Sequence, residues 1–292
     1  MSDFGVKVVK EGKDISTTDP RDVYMSSQYP MLKIHSDSLV SVTFNPGDTE
    51  KTVDITHGLG YTPAFIAYYN FGGRLFYVPS IPRASDYNSY GYAYSDSTKV
   101  RCGFVFSSPY NQIIKNANDW WSDRYSGSAN YIFLGKADGF ATNGYLRFTD
   151  LSLTQNQSIV SATLDLAVEY KGSGSGNLEQ KIYGIDEDNT SAFESTPSGR
   201  SQTSAVTDIS ASLPSAGQYS GVNVKSQVEE IIARGGWSTG NAMGFYMVDD
   251  GTNDDIWLED DKHTGITSKL TITKSGTTTV DFRVVVFKDK IA

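Results

Sequence analysis

Residues 52–70 read TVDITHGLGYTPAFIAYYN, and the fold class turns on them. Val53 and Ile55 alternate with polar neighbours, the two-residue period of a half-buried strand. His57-Gly58-Leu59-Gly60 supplies two glycines for a tight connection, and Pro63 fixes the entry to the next segment. Residues 64–69 are almost continuously apolar or aromatic, which predicts a strand covered on both faces. A strand so covered is central, with other strands beside it.

Working outward, Val40, Val42 and Phe44 fall on one face of a strand over 39–44. Asn45-Pro46-Gly47-Asp48 then predicts a hairpin turn into 53–56. Residues 5–9 and 31–34 are shorter strand candidates. Gly72-Gly73 turns into 75–78, and 98–106 is another strand. The composition agrees: 18 Tyr, 14 Phe and 27 Gly in 292 residues suit an all-β chain with many turns.

This region resembles a module of tailed-phage and prophage virion proteins, found in tail-fibre-like, appendage or surface-decorating components. The resemblance rests on GVKV at 5–8, the S-S-x-Y step of Ser26, Ser27 and Tyr29, LKI at 32–34 and ITHGLGYTPAFI at 55–66. It covers about the first third of the chain and the last strand.

Strand periodicity stops at 107–130, where Pro109, Asn111, Asn116, Asn118 and Ser126-Gly127-Ser128 read as linker chemistry. A second pattern begins at Tyr131. Strands are predicted over 131–134, 145–148, 159–170, 180–185, 242–248 and 269–273, with 172–176, GSGSG, as a flexible loop. Val160, Ala162, Leu164, Leu166 and Val168 should line one face of a long strand, which needs a facing sheet. One helix is predicted over 227–234, with Ser226 and Glu229 as a capping box and Gly235 as a left-handed cap.

IYGIDEDN at 182–189, Ala192-Phe193, VKSQVEEIIARGGW at 224–237, GNAMGFY at 240–246 and SKLTIT at 268–273 resemble a jelly-roll module of secreted bacterial proteins. That module is similar to carbohydrate-binding sandwiches, and the match covers about 129–274. Residues 280–287 form a strong strand after the jelly roll has closed. In proteins resembling the first module, a valine-and-aromatic strand ending in Lys-Asp-Lys completes that module. The resemblances together imply an all-β chain of two β-sandwich domains, the second a jelly roll with one short helix inserted into the first. The expected boundaries are 1–110 plus 276–292 for the scaffold, 111–128 for a linker, and 129–275 for the inserted domain.

The net charge is −9 with no basic run, so nucleic acid is not an expected partner. Cys102 is the sole cysteine and sits in a strand pattern, which reads as a core thiol and rules out an internal disulfide. Met1-Ser2-Asp3-Phe4 opens no signal peptide, and no apolar stretch reaches bilayer length.

Tyr90, Tyr92 and Tyr94 share one side of a strand, either as cross-strand packing, as an interface with a copy, or as a platform for sugar rings. Trp120 and Trp121 read either as a plug between two domains or as a second platform. None of His35, His57 and His263 stands in a catalytic motif, and no enzymatic activity is expected. Two acidic clusters remain: Asp186-Glu187-Asp188, and Asp249, Asp250, Asn253, Asp254 and Asp255 with Glu259, Asp260 and Asp261 behind them. They read as solvated loops, as a calcium site in the second cluster, or as paired carboxylates for glycoside hydrolysis. No other cofactor is indicated.

The expectation is a non-enzymatic virion protein on the surface of a tailed-virus particle, as fibre, appendage or capsid decoration. Its partners would be copies of itself, other virion proteins and host-surface glycans. The alternative is a secreted or cell-surface carbohydrate-binding adhesin.

Overall fold

The computed structural model describes residues 7–9, 11–12, 23–26, 34–78, 89–123, 131–137, 140–171, 177–193, 197, 199–214, 216–252, 255–259 and 266–290. The described residues are nearly all antiparallel β-structure with one helix among them, and the chain divides into two compact units. Unit 1 comprises Met1–Tyr110 and Thr277–Ala292; unit 2 is Asn111–Gly276.

In unit 1, β1 (Lys7–Val9) and β2 (Val23–Ser26) pair with each other. The rest is a sandwich of strands β3 (Ile34–Phe44), β4 (Glu50–Thr56), β5 (Pro63–Phe71), β6 (Arg74–Val78), β7 (Tyr90–Ser95) and β8 (Lys99–Val105), closed by the final strand β21 (Thr278–Lys290). One sheet has the order β3-β21-β5-β6 and the other β4-β8-β7. Between them pack Phe44, Tyr69, Val100, Cys102, Phe104, Val280, Phe282, Val284 and Val286. Each such side chain, fully buried, contributes about 1.5–3 kcal/mol. Burial pushes the Cys102 thiol up to about 12, so it is an inert core group.

Two local expectations are corrected. The Asn45–Asp48 turn does not close a hairpin, because β3 and β4 belong to different sheets. Gly47, at a positive φ of 91°, lets the chain arch across the sandwich, and Gly47 N–H and Tyr110 N–H tie the arch to the end of the unit's first segment. Likewise β5 is interior to its sheet but covered on one face only: Ala67 and Tyr69 are buried, whereas Ile66 and Tyr68 on the other face are half-buried. A continuous apolar run does not reveal how many of its faces are packed.

Unit 2 is a second sandwich, of β9 (Gln112–Asn116), β10 (Asp119–Ser122), β11 (Tyr131–Ala137), β12 (Phe140–Thr142), β13 (Gly144–Phe148), β14 (Ile159–Lys171), β15 (Leu178–Ile185), β16 (Gln202–Ala211), β17 (Gly217–Asn223), β18 (Met243–Asp249), β19 (Asp255–Glu259) and β20 (Lys269–Lys274). Its smaller sheet runs β10-β13-β18-β15-β16; the larger runs β12-β11-β19-β14-β20-β9, with β17 also paired to β14. Leu146, Phe148, Phe245 and Met247 of the first meet Ile132, Leu134, Leu164 and Leu270 of the second. Gly144 permits this approach, since a Cβ there would lie 2.5 Å from Leu134 Cδ2.

The stretch 112–122 is therefore not linker: β9 pairs β20 and β10 pairs β13. Asparagines at the strand ends mask strands only four or five residues long. Residues 124–128 of the expected linker, and the loop 172–176, lie outside the described residues. Val160 is exposed, contrary to the simple alternation, because a bulge between Ile159 and Ser161 reverses the first side chains of β14. The helix α1 (Lys225–Ile232) begins two residues earlier than expected, with Val224 as N-cap and no side-chain cap. Glu229 pairs with Lys225 at 3.7 Å rather than closing a box, and Gly235 is not among the glycines at positive φ. Val228, Ile231 and Ile232 still face the core as the apolar stripe requires.

Candidate functional site

Strand alternation gives the smaller sheet of unit 2 two faces. Leu146, Phe148, Met243, Phe245 and Ile182 enter the core; Tyr145, Tyr246, Tyr183 and Trp121 point the other way. The register then sets those four side by side. Trp121 stands opposite Tyr145, Tyr145 opposite Tyr246, Tyr246 opposite Tyr183, and Tyr183 opposite Val206. An aromatic row thus crosses the sheet perpendicular to its strands. The Tyr145 and Tyr246 rings stack at 4.4 Å and 12°.

The segment 186–193 is strapped over one side of this row. Gly244 makes room, because a Cβ there would meet Ile185 Cδ1 at 2.6 Å and Thr190 Cγ2 at 2.8 Å. Arg147 Nε donates to Thr190 O at 2.7 Å, and Phe193 N–H donates to Asp119 at 2.8 Å, seating Phe193 against Tyr145. The acidic cluster holds the strap in place. Arg234 is clamped by Asp186 at 2.5 Å and Asp188 at 2.7 Å, while Glu187 binds Arg200 at 3.1 Å.

Against the Tyr145–Tyr246 pair lies a cavity of about 120 Å³, walled by those two rings, Ile185 and the segment Arg200, Ser201 and Gln202. That is room for a few waters or one small ring. Arg200 also lies over the Phe193 ring, 5.2 Å from its centre. The Tyr145 side chain is 1% exposed, and among the described residues no group completes a hydrogen bond of ordinary geometry to its hydroxyl, although Tyr246 and Asp123 stand close to it; the same holds for Trp121 Nε1 and Asp123 Oδ1 nearby. Burial foremost, with Tyr246 and Asp123 close by, pushes the Tyr145 phenol well above its ordinary range.

The residues singled out in the sequence fall elsewhere, with one exception. Trp121 belongs to the aromatic row, but Trp120 projects to the opposite face of β10 and packs on the main core. The two indoles form no common platform, and each packs inside unit 2. Tyr90, Tyr92 and Tyr94 lie on the outer face of the three-stranded sheet of unit 1, facing Val105, Gly103 and Arg101 in register. The Tyr92 and Tyr94 rings are parallel within 3°, 6.5 Å apart. Tyr92 reaches across Gly103 to donate to Glu50; burial first, then that carboxylate, pushes the phenol up to about 12. Arg101 grips Asp54 with two bonds of 2.6 and 2.8 Å, and Lys99 adds a third at 2.7 Å.

Asp249 and Asp250 diverge: Asp249 accepts from Gln180 and Thr252 N–H, and Asp250 binds Lys181 at 2.6 Å. Asn253, Asp254, Asp260, Asp261 and the side chains of Asp255 and Glu259 lie outside the described residues, as does His263. Among the described residues no group of three His, Cys, Asp or Glu converges as a cation site. His57 is structural. Leu59 N–H donates to its Nδ1, so the ring proton sits on Nε2 and is donated to Asp96 O at 3.1 Å.

The row was missed because its members are far apart in sequence and only the ladder register aligns them. Its one local trace is the alternation of Tyr145 and Tyr246 against Leu146 and Phe245. No protein family matches the chain, and no curated protein is similar to it at a significant level. No helix among the described residues is long and apolar enough to cross a membrane.

Proposed function

We propose that this chain is a non-enzymatic structural protein displayed on a tailed-virus particle, as fibre, appendage or shell decoration, and that unit 2 contacts host-surface saccharides at the aromatic row. The observation that carries the saccharide reading is the cavity beside stacked Tyr145 and Tyr246, where the buried Tyr145 hydroxyl completes no hydrogen bond of ordinary geometry among the described residues. Sugars present apolar ring faces edged by hydroxyls, and such a wall of rigid amphipathic rings with few polar groups suits them. The display reading is supported by the resemblance of residues 5–66 to virion modules. The carboxylates of 186–188 favour a structural role over hydrolysis, since all three are engaged by Arg234 and Arg200.

A saccharide array followed by calorimetric titration of the full chain tests the binding. Tyr145→Phe and Gln202→Ala should each weaken it about three- to tenfold, the worth of one hydrogen bond. Binding that survives both variants unchanged, or no binding at all, removes the saccharide reading. Antibody labelling of purified particles tests display; the adhesin alternative would label cells instead.

A further inference from the structure

The two units treat their long edge strands differently. β16, ten residues long, ends its sheet, but Glu230 accepts the backbone N–H groups of Ser204 at 2.6 Å and Ala205 at 2.9 Å, and Thr207 binds Asn223 O. That edge is covered over 204–207. β3, eleven residues long, ends the sheet β3-β21-β5-β6, and among the described residues nothing pairs with its outer side. Natural edges are blunted by Lys, Pro, bulges or short length. The sequence of β3, IHSDSLVSVTF, has no Lys, Arg, Pro or Gly. Its one charge, Asp37, is held by Arg283 of the neighbouring strand at 2.7 Å, and the ladder to β21 is irregular only at its far end, by Phe287. At the midpoint of the strand stands Leu39, 74% exposed, the most exposed large apolar side chain among the described residues.

We propose that β3 pairs edge to edge with β3 of a second copy, antiparallel about a two-fold axis at Leu39, joining two four-stranded sheets into one. A strand pairing with itself across a two-fold matches each residue to the one equally far on the other side of the axis. Centred on Leu39, the leucine meets Leu39 of the second copy, Asp37 meets Ser41, Ser38 meets Val40 and Ser36 meets Val42. No like charges face each other, and the exposed leucine is covered. Centring on Asp37 would set two carboxylates face to face, which is unfavourable. Centring on Ser38 would set Leu39 against Asp37. Slips that break the two-residue parity would turn the outer face of one strand onto the core face of the other. The proposal concerns unit 1 alone and is independent of the saccharide reading.

Sedimentation velocity and oxidative cross-linking of the full chain test it. The wild type should sediment as a dimer at raised concentration. Leu39→Lys, which places like charges at the axis, should raise the dissociation constant about tenfold or more; Leu75→Lys, on an equally exposed leucine of the same face, should leave it unchanged. Residues directly opposite in an antiparallel ladder are within disulfide reach. Leu39→Cys should therefore cross-link under mild oxidation far more than Leu75→Cys, with no background from buried Cys102. A wild type that stays monomeric, a closed trimer, or equal behaviour of the position 39 and 75 variants overturns the proposal.

Discussion

Val286 of the last strand stands directly between Phe65 of β5 and Ser36 of β3, so the C-terminal segment is an interior strand of a sheet whose other members end by Val78. The four-stranded sheet cannot assemble until the whole of unit 2 has left the ribosome. Its closure is a long-range event, and the valines of β21 carry it.

The alternation of β21 gives the first prediction. Val284 is fully buried between the two sheets, whereas Val285 is half-buried on the outer face. Val284→Ala should cost about 2 kcal/mol from lost burial and residual cavity, and Val285→Ala under about 1 kcal/mol. Urea unfolding measures both. Equal losses would mean the faces are assigned wrongly.

A second prediction compares two glycines of the three-stranded sheet. A Cβ at Gly91 would come within 2.5 Å of the Tyr69 ring, which is fixed in the core; one at Gly103 would come within 2.3 Å of Tyr92, whose ring lies on the outer face. Overpacking costs about 1–3 kcal/mol where nothing can give way. Gly91→Ala should fall in that range and Gly103→Ala well below it, with Tyr92 released from Glu50. The fluorescence of the tyrosines and the denaturation midpoint report both effects.

Much of this architecture was legible in the chain. Period-two runs located β3, β4 and β14, and a continuous apolar run located β5, because each buries enough apolar residues to leave a pattern. What stayed hidden was pairing. Nothing local says that the turns at 45–48 and 57–60 are arches between sheets rather than hairpins, since the same glycines serve both. Strands as short as β9 and β10 bury too few residues to show a period. The aromatic row exists only once Trp121, Tyr145, Tyr183 and Tyr246 are brought into register from four strands.

Acid should loosen the turn after β7. The Asp96 carboxylate accepts from Thr98 Oγ1, Thr98 N–H and Lys99 N–H, and these bonds lower it from 3.8 to about 2. A carboxyl depressed in the folded state adds stability that is fully present above 3.8 and is lost as pH falls toward 2. Asp96→Asn should therefore lower the unfolding midpoint near neutral pH and matter progressively less across that acid window. A deficit that stays constant with pH would show that charge is not what the turn uses.

Arg234 fastens the strap over the aromatic row, and its loss should be read at the row as well as in stability. Arg234→Ala leaves Asp186 and Asp188 facing each other without their cation. Partly exposed pairs of this kind contribute about 1 kcal/mol, less at high salt. Amide exchange should quicken across 186–193, and Tyr145 should become open to solvent. Unchanged exchange in that segment would separate the strap from the ion pairs.

Glu230 supplies the sharpest contrast with β3. Its carboxylate closes the edge of β16, and although burial alone would raise its pKa, the bonds from Ser204 and Ala205 lower it overall from the ordinary 4.5. Glu230→Ala removes that cover and leaves two strand N–H groups without an acceptor, at a cost of about 1–2 kcal/mol. The deficit should be full above pH 4.5 and shrink as the wild-type carboxyl protonates below it. Exchange of the Ser204 and Ala205 amides should quicken first, and the variant should self-associate through β16 in addition to β3. A doubly substituted chain carrying Leu39→Lys and Glu230→Ala isolates the second edge: association through β16 would then appear on its own, and a chain that stays monomeric would show that an uncovered ladder edge is not enough to recruit a copy.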